Sequence, residues 1–184
     1  MLLSTEYYSG TKYPTTQKIN HTNFSLFGTK KEDFVPMSKG ELLTGTSKID
    51  IGCETFVIPQ RLKILQKTIE KSTYIFDLQN DWDDEGSLGY EKTTWIKAVH
   101  FVINYAEWIL DNFDEVMYIP EIYHGKESGI DILWENSEYR MLIRLDKQIE
   151  KGFFYSDNLH KQTSEGEFQV SKINYLMLPT PISF

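Results

Sequence analysis

Hydrophobic and polar positions follow three regimes along this chain. From Pro59 to Asn80, Leu62, Leu65, Ile69 and Phe76 recur at spacings of three, four and seven, and Ile75 and Leu78 widen the stripe. That is the period of a helix with one buried face. Pro59 suits its first position, where the missing N–H is not needed. A second helix is predicted from about Lys92 to Phe113, where Trp95, Ala98, Val99, Val102, Ile103, Ala106, Ile109, Leu110 and Phe113 keep the same pattern unbroken. Between the two lies Asp81-Trp82-Asp83-Asp84-Glu85-Gly86-Ser87-Leu88-Gly89-Tyr90, whose glycines and serine stop a helix and permit a tight reversal.

After Asp114 the period falls to two. Val116–Tyr123 is strand-like, with Pro120 marking a bulge or an edge. Ile130, Ile132 and Trp134 alternate with Asp131 and Glu135; Tyr139, Met141, Ile143 and Leu145 alternate with Arg140 and Arg144. The link Asn136-Ser137-Glu138 is short enough for a hairpin. A further strand is predicted over Gly152–Ser156 and an edge strand over Phe168–Val170, and the apolar, proline-containing 172–184 is expected to dock as an extended tail. Helices followed by consecutive strands imply an α+β fold, with two helices packed on one face of an antiparallel sheet.

Residues 1–58 show no sustained period and are rich in Ser, Thr, Lys and Gly. They are expected to form an irregular N-terminal arm, with one short strand at Thr55–Ile58, ahead of an α+β domain over 59–184. The arm still carries aromatics, and Tyr7, Tyr8, Phe24 and Phe27 are its candidate contact residues.

Composition narrows the function. The 184 residues fit one domain plus an arm. The lone Cys53 excludes an internal disulfide and a cysteine-rich zinc site, and it is expected to be a small buried residue. No apolar run approaches a membrane span, and Met1-Leu2-Leu3-Ser4-Thr5-Glu6 lacks the basic and apolar regions of a signal peptide. A reducing cytoplasm is the expected compartment. The net charge is −8, and all of it lies after residue 60, where 13 basic residues meet 21 acidic ones. Nucleic acid and membrane are therefore not expected partners, since phosphate binding needs a basic footprint. A basic protein partner is.

The acidic loop is the main candidate site: Trp82, Asp83, Asp84, Glu85 and Gly86. Asp81, Asp83, Glu85 and Gly86 match the opening of a calcium loop, but Lys92 stands where the bidentate glutamate belongs. A structural loop fits better, with Trp82 filling the space between the helices and Asp83 or Asp84 accepting backbone N–H bonds. No cofactor or metal is expected.

Asn80-Asp81-Trp82-Asp83-Asp84-Glu85-Gly86-Ser87, Gly89-Tyr90 and Thr94-Trp95 with Ala98 and Phe101 resemble the signature of a family of small uncharacterised bacterial proteins. Those proteins pair an N-W-D-x-E-G-S/A-type loop and helix with a later G-x-I-x-x-x-W strand. The second half is represented here by Gly129-Ile130-Asp131-Ile132-Leu133-Trp134 and then Tyr139-Arg140-Met141-Leu142-Ile143; Phe153-Phe154-Tyr155-Ser156-Asp157-Asn158 is a third echo. The resemblance covers about residues 60–170 and brings no activity with it. It implies a bacterial setting near mobile elements or defence, and antitoxin-like partnering.

Two function classes follow. One is a non-catalytic protein-interaction module that uses the arm and the acidic loop. The alternative is a metal-dependent nuclease or hydrolase using strand carboxylates among Asp131, Glu135 or Glu138, in which two carboxylates hold a divalent ion. That chemistry wants a lysine to orient water, and Arg140 stands in its place. The four histidines form no metal-ligand pair.

Overall fold

The structure, a computed structural model, describes residues 45–137, 139–158 and 163–181. Tyr7, Tyr8, Phe24, Phe27 and Glu138 lie outside the described residues. Strand β1 (Thr46–Asp50) pairs antiparallel with β2 (Thr55–Pro59). A helical path follows, as a 3-10 turn (Gln60–Leu65), helix α1 (Gln66–Lys71) and a second 3-10 turn (Ser72–Asp77). After the acidic loop come helix α2 (Lys92–Phe113) and five strands: β3 (Glu121–His124), β4 (Ile130–Glu135), β5 (Arg140–Leu145), β6 (Lys151–Asp157) and β7 (Thr163–Gln169). These five form one antiparallel meander in sequence order. The fold class is α+β, with the helices on one face of that sheet.

The strand expected over Val116–Tyr123 is confined to Glu121–His124, and the edge strand expected at Phe168–Val170 runs over Thr163–Gln169. Three expectations in the first half of the chain also need correction. The strand expected at Thr55–Ile58 is present as β2, but Thr46–Asp50, expected to be irregular, form β1 and close a hairpin with it; Ile49, Phe56 and Ile58 are buried in the core. The turn between the strands is closed by Ile51 N–H to the Glu54 carbonyl at 3.0 Å and by Gly52 N–H to the Asp50 carboxylate at 2.8 Å. The polar residues 46–48 hid β1, of whose five side chains Ile49 alone is fully buried, Ser47 on the same face is half-buried and Thr46, Lys48 and Asp50 are exposed. Cys53 sits exposed in the same turn and is not buried. The predicted first helix is helical from Gln60 to Asp77, but only its middle six residues are α. Its hydroxyls explain part of this, since Ser72 and Thr73 each donate to the carbonyl three residues back, at 2.8 Å, and so compete with the regular ladder.

Helix α2 lies across the inner face of the sheet. Its Trp95, Ala98, Val99, Val102, Tyr105, Ala106 and Ile109 are fully buried. Tyr105 meets Trp134 of β4 edge-on at 6.1 Å, and Phe101 stacks on Phe168 of β7 at 5.9 Å. The Trp95 indole donates to Ser72 at 2.9 Å, which ties α2 to the first helical path. The helix ends at Asp114, in the left-handed conformation (φ 55°), where Arg61 binds both its carboxylate and its carbonyl. The tail then crosses back: Tyr175 stacks on Tyr105, and the carbonyls of Pro179 and Pro181 accept from Tyr105 Oη and Tyr118 N–H. Among the described residues, no helix is long and apolar enough to cross a membrane.

The first helical path also covers one edge of the sheet. Thr68 donates to the Pro120 carbonyl at 2.6 Å, Lys71 pairs with Glu121, and Tyr74 Oη lies 2.9 Å from His124 Nδ1. The β3 edge is thereby shielded.

Candidate functional site

The acidic loop closes on itself. Asp81 N–H donates to the Ser87 carbonyl at 2.7 Å, and Tyr90 N–H to the Leu78 carbonyl at 3.1 Å. Asp83 accepts from the backbone of Glu85 and Ser87 and from the Ser87 hydroxyl, the last at 2.6 Å. The Ser87 hydroxyl bond is the leading cause that holds the Asp83 carboxyl below the usual range; desolvation, next in size, opposes it, and the backbone bonds add to the lowering. The Asp81 carboxylate caps Gly86 N–H at 2.8 Å, and the Asn80 side chain caps Gly89 N–H at 2.8 Å. Gly86 has φ 82°, a left-handed conformation that favours glycine. Gly89 lies so close to the Leu78 carbonyl and the Asn80 nitrogen that a Cβ there would meet them at 2.8 and 2.9 Å. Asp81 Oδ1 and both oxygens of Asp83 thus accept from donors within the loop, while Asp84 and Glu85 stay exposed.

Trp82 does not fill the space between the helices. Its half-buried ring lies edge-on to His124, at the end of β3, with centroids 4.8 Å apart, and Tyr90 flanks both. Tyr90 Oη donates to the Gly125 carbonyl and Ser128 Oγ to the Leu88 carbonyl, so the loop is seated on the β3–β4 turn. Burial, helped by Asp131, pushes the Tyr90 phenol up.

Beyond His124 the outer face of the sheet opens. Strand register arranges its side chains in transverse rows. The central row reads Glu121, Leu133, Leu142, Tyr155, Glu165 across the five strands. One neighbouring row is Tyr123, Asp131, Arg144, Phe153, Glu167; the other is Glu135, Arg140, Asp157, Thr163. Leu133, Leu142, Phe153 and Tyr155 are half-buried. Tyr123, His124, Asp131, Leu133, Glu135, Arg140, Leu142 and Tyr155 line an open groove of about 540 Å³ there.

The groove carboxylates are already engaged. Arg144 grips both oxygens of Asp131, at 2.8 and 2.7 Å, and Arg140 binds Glu135. These bonds raise both guanidinium pKa values, each led by its carboxylate. Asp131 and Glu135 stand four residues apart on one strand, or about 13 Å at the usual rise. Two carboxylates converging on one divalent ion would need to be far closer. Among the described residues no group of three or more His, Cys, Asp or Glu could hold a metal.

The hairpin expected at residues 136–138 brings Asp131 and Arg144 together. Of the sequence candidates, Trp82 to Gly86 form one loop beside the groove, and Asp131 and Glu135 line it. Leu133, Leu142, Tyr155, Tyr123 and His124 were not legible as site residues, although a signal exists. Ile132-Leu133-Trp134, Met141-Leu142-Ile143 and Phe153-Phe154-Tyr155 are apolar triplets that break the strict alternation of a sheet solvated on one side. No protein-family model, no curated protein and no solved structure matches this chain.

Proposed function

We propose that this chain is a non-catalytic protein-interaction module whose contact surface is the open face of the five-stranded sheet, with the acidic loop at its rim. The carrying observation is the central row Leu133, Leu142 and Tyr155, an apolar strip in an open groove that is lined by residues of β3 to β6. Exposed apolar strips rimmed by polar groups are what protein partners bury. The rows hold six carboxylates, Glu121, Asp131, Glu135, Asp157, Glu165 and Glu167, against Arg140 and Arg144. Such a face disfavours a phosphate backbone and suits a partner with basic groups. The resemblance to small bacterial proteins near mobile elements is in keeping with antitoxin-like partnering in a bacterial cytoplasm.

The metal-dependent nuclease or hydrolase draws less support. Asp131 and Glu135 are separated along β4 and each is held by an arginine, so neither presents a free carboxylate to an ion.

The test is a Leu142→Asp variant, which puts a charge in the centre of the strip without touching the inner face. Tagged wild-type and variant proteins are used in parallel to recover partners from the native organism. A partner held by the wild type and lost by a folded variant supports the module. Equal recovery by both proteins removes the open face from the contact, and metal-dependent cleavage of nucleic acid abolished by Asp131→Asn would restore the alternative.

A further inference from the structure

The two edges of the five-stranded sheet are treated differently. The β3 edge is covered by the first helical path, through Thr68, Lys71 and Tyr74. At the other edge, β7 spans seven residues, Thr163–Gln169, and is bonded to β6 along its whole length. Among the described residues, no backbone hydrogen bond reaches its outer side. In an antiparallel pair alternate residues turn their N–H and C=O groups away from the partner strand, so β7 offers a ladder ready for one more strand.

The side chains say which strand fits. Glu165 and Glu167 end the transverse rows that contain Tyr155 and Phe153, and both are exposed. On the inner side of the same strand, Gly166 packs under the Phe154 ring and Phe168 stacks on Phe101. A strand laid against β7 would therefore set one face beside two glutamates and the other beside the apolar inner layer. A second copy of this chain is a poor occupant. Antiparallel self-pairing centred on Gly166 would place Glu165 opposite the partner copy's Glu167, and like charges directly opposite are destabilising.

We propose that β7 is an edge-addition site that takes an extended segment of a basic protein, with Lys or Arg on the alternate positions facing Glu165 and Glu167 and apolar residues between them. Main-chain bonds supply attachment and the alternating charge supplies selection. The cationic side chains would also extend the rows of the open face, next to Tyr155 and Phe153. This inference rests on the protein-binding reading of that face.

Three synthetic heptapeptides test it: alternating Lys and Val, alternating Glu and Val, and alternating Thr and Val. Each is titrated against the full chain by fluorescence anisotropy, with amide hydrogen exchange followed over β7. The Lys peptide is expected to bind at least about tenfold tighter than the Glu peptide, in a salt-sensitive way, and to slow exchange at Thr163–Gln169. The Glu165→Lys/Glu167→Lys double variant, altered only at exposed positions, should reverse the order. Equal affinity for the Lys and Glu peptides overturns the proposal. So does a Lys preference that survives the double variant or leaves the β7 amides unprotected. If charge selection is absent while binding of the Thr peptide is lost in Leu142→Asp, the edge inference fails and the open-face reading stands. If no peptide responds to either variant, both fail.

Discussion

The indole of Trp82 meets the imidazole of His124 edge-on at 4.8 Å, and Tyr74 of the first helical path holds the same imidazole. One histidine at the end of β3 thus joins the acidic loop to the covered edge of the sheet. Trp82→Ala should cost about 1–2 kcal/mol, below the figure for a fully buried tryptophan because the ring is half-buried. That corresponds to a Tm lower by about 3–6 °C for a domain of this size. A melt unchanged within about 1 °C would show that the ring contributes no packing.

Asp83 should make the loop acid-sensitive. Its folded pKa lies below the ordinary value, so its ionised form is favoured by folding. The associated stability is present above the unfolded carboxyl value and is lost as pH falls through the folded one. Carboxyl NMR titration should give Asp83 a lower midpoint than an ordinary aspartate. Ser87→Ala removes the leading cause and should move that midpoint upward; an unmoved midpoint would contradict the hydroxyl bond.

Arg144 and Asp131 form a two-point pair whose carboxylate is only 15% exposed. Arg144→Ala leaves that carboxylate without its cation and should cost about 1–2 kcal/mol in urea unfolding, discounted because the Arg144 side chain is 38% exposed. An Asp131→Leu/Arg144→Leu pair should stay within about 1 kcal/mol of the wild type, since both charges leave together. Additive losses in the double variant would mean that the pair is not coupled.

Deleting residues 1–50 should lower the melt sharply, because it removes β1 and the fully buried Ile49. Loss of that side chain alone is worth about 1.5–3 kcal/mol. A deletion of 1–44 leaves the hairpin intact, so the difference between the two truncations isolates β1. Equal melting of both would show that the hairpin adds nothing to stability.

Local patterns decided much of this protein from the sequence alone. Helix α2 was legible to its ends because ten of its residues face one buried layer at a period that only a helix satisfies. The β4–β5 hairpin was legible because its alternation and short link leave one workable register. Asp83 was legible as a loop acceptor because its partners lie within four residues. Tertiary structure decided what depends on distant partners. Strand β1 has one buried side chain among polar neighbours, and it becomes a strand only against β2 and the core. Trp82 finds its place against His124, 42 residues later, which no local period encodes. The open face was written as three apolar triplets, but a continuous apolar run reads alike whether its second face is covered or bare. Only the packing of both helical segments on one side of the sheet left Leu133, Leu142 and Tyr155 as an outer strip, and only strand order placed Glu165 and Glu167 at the edge that no described segment covers.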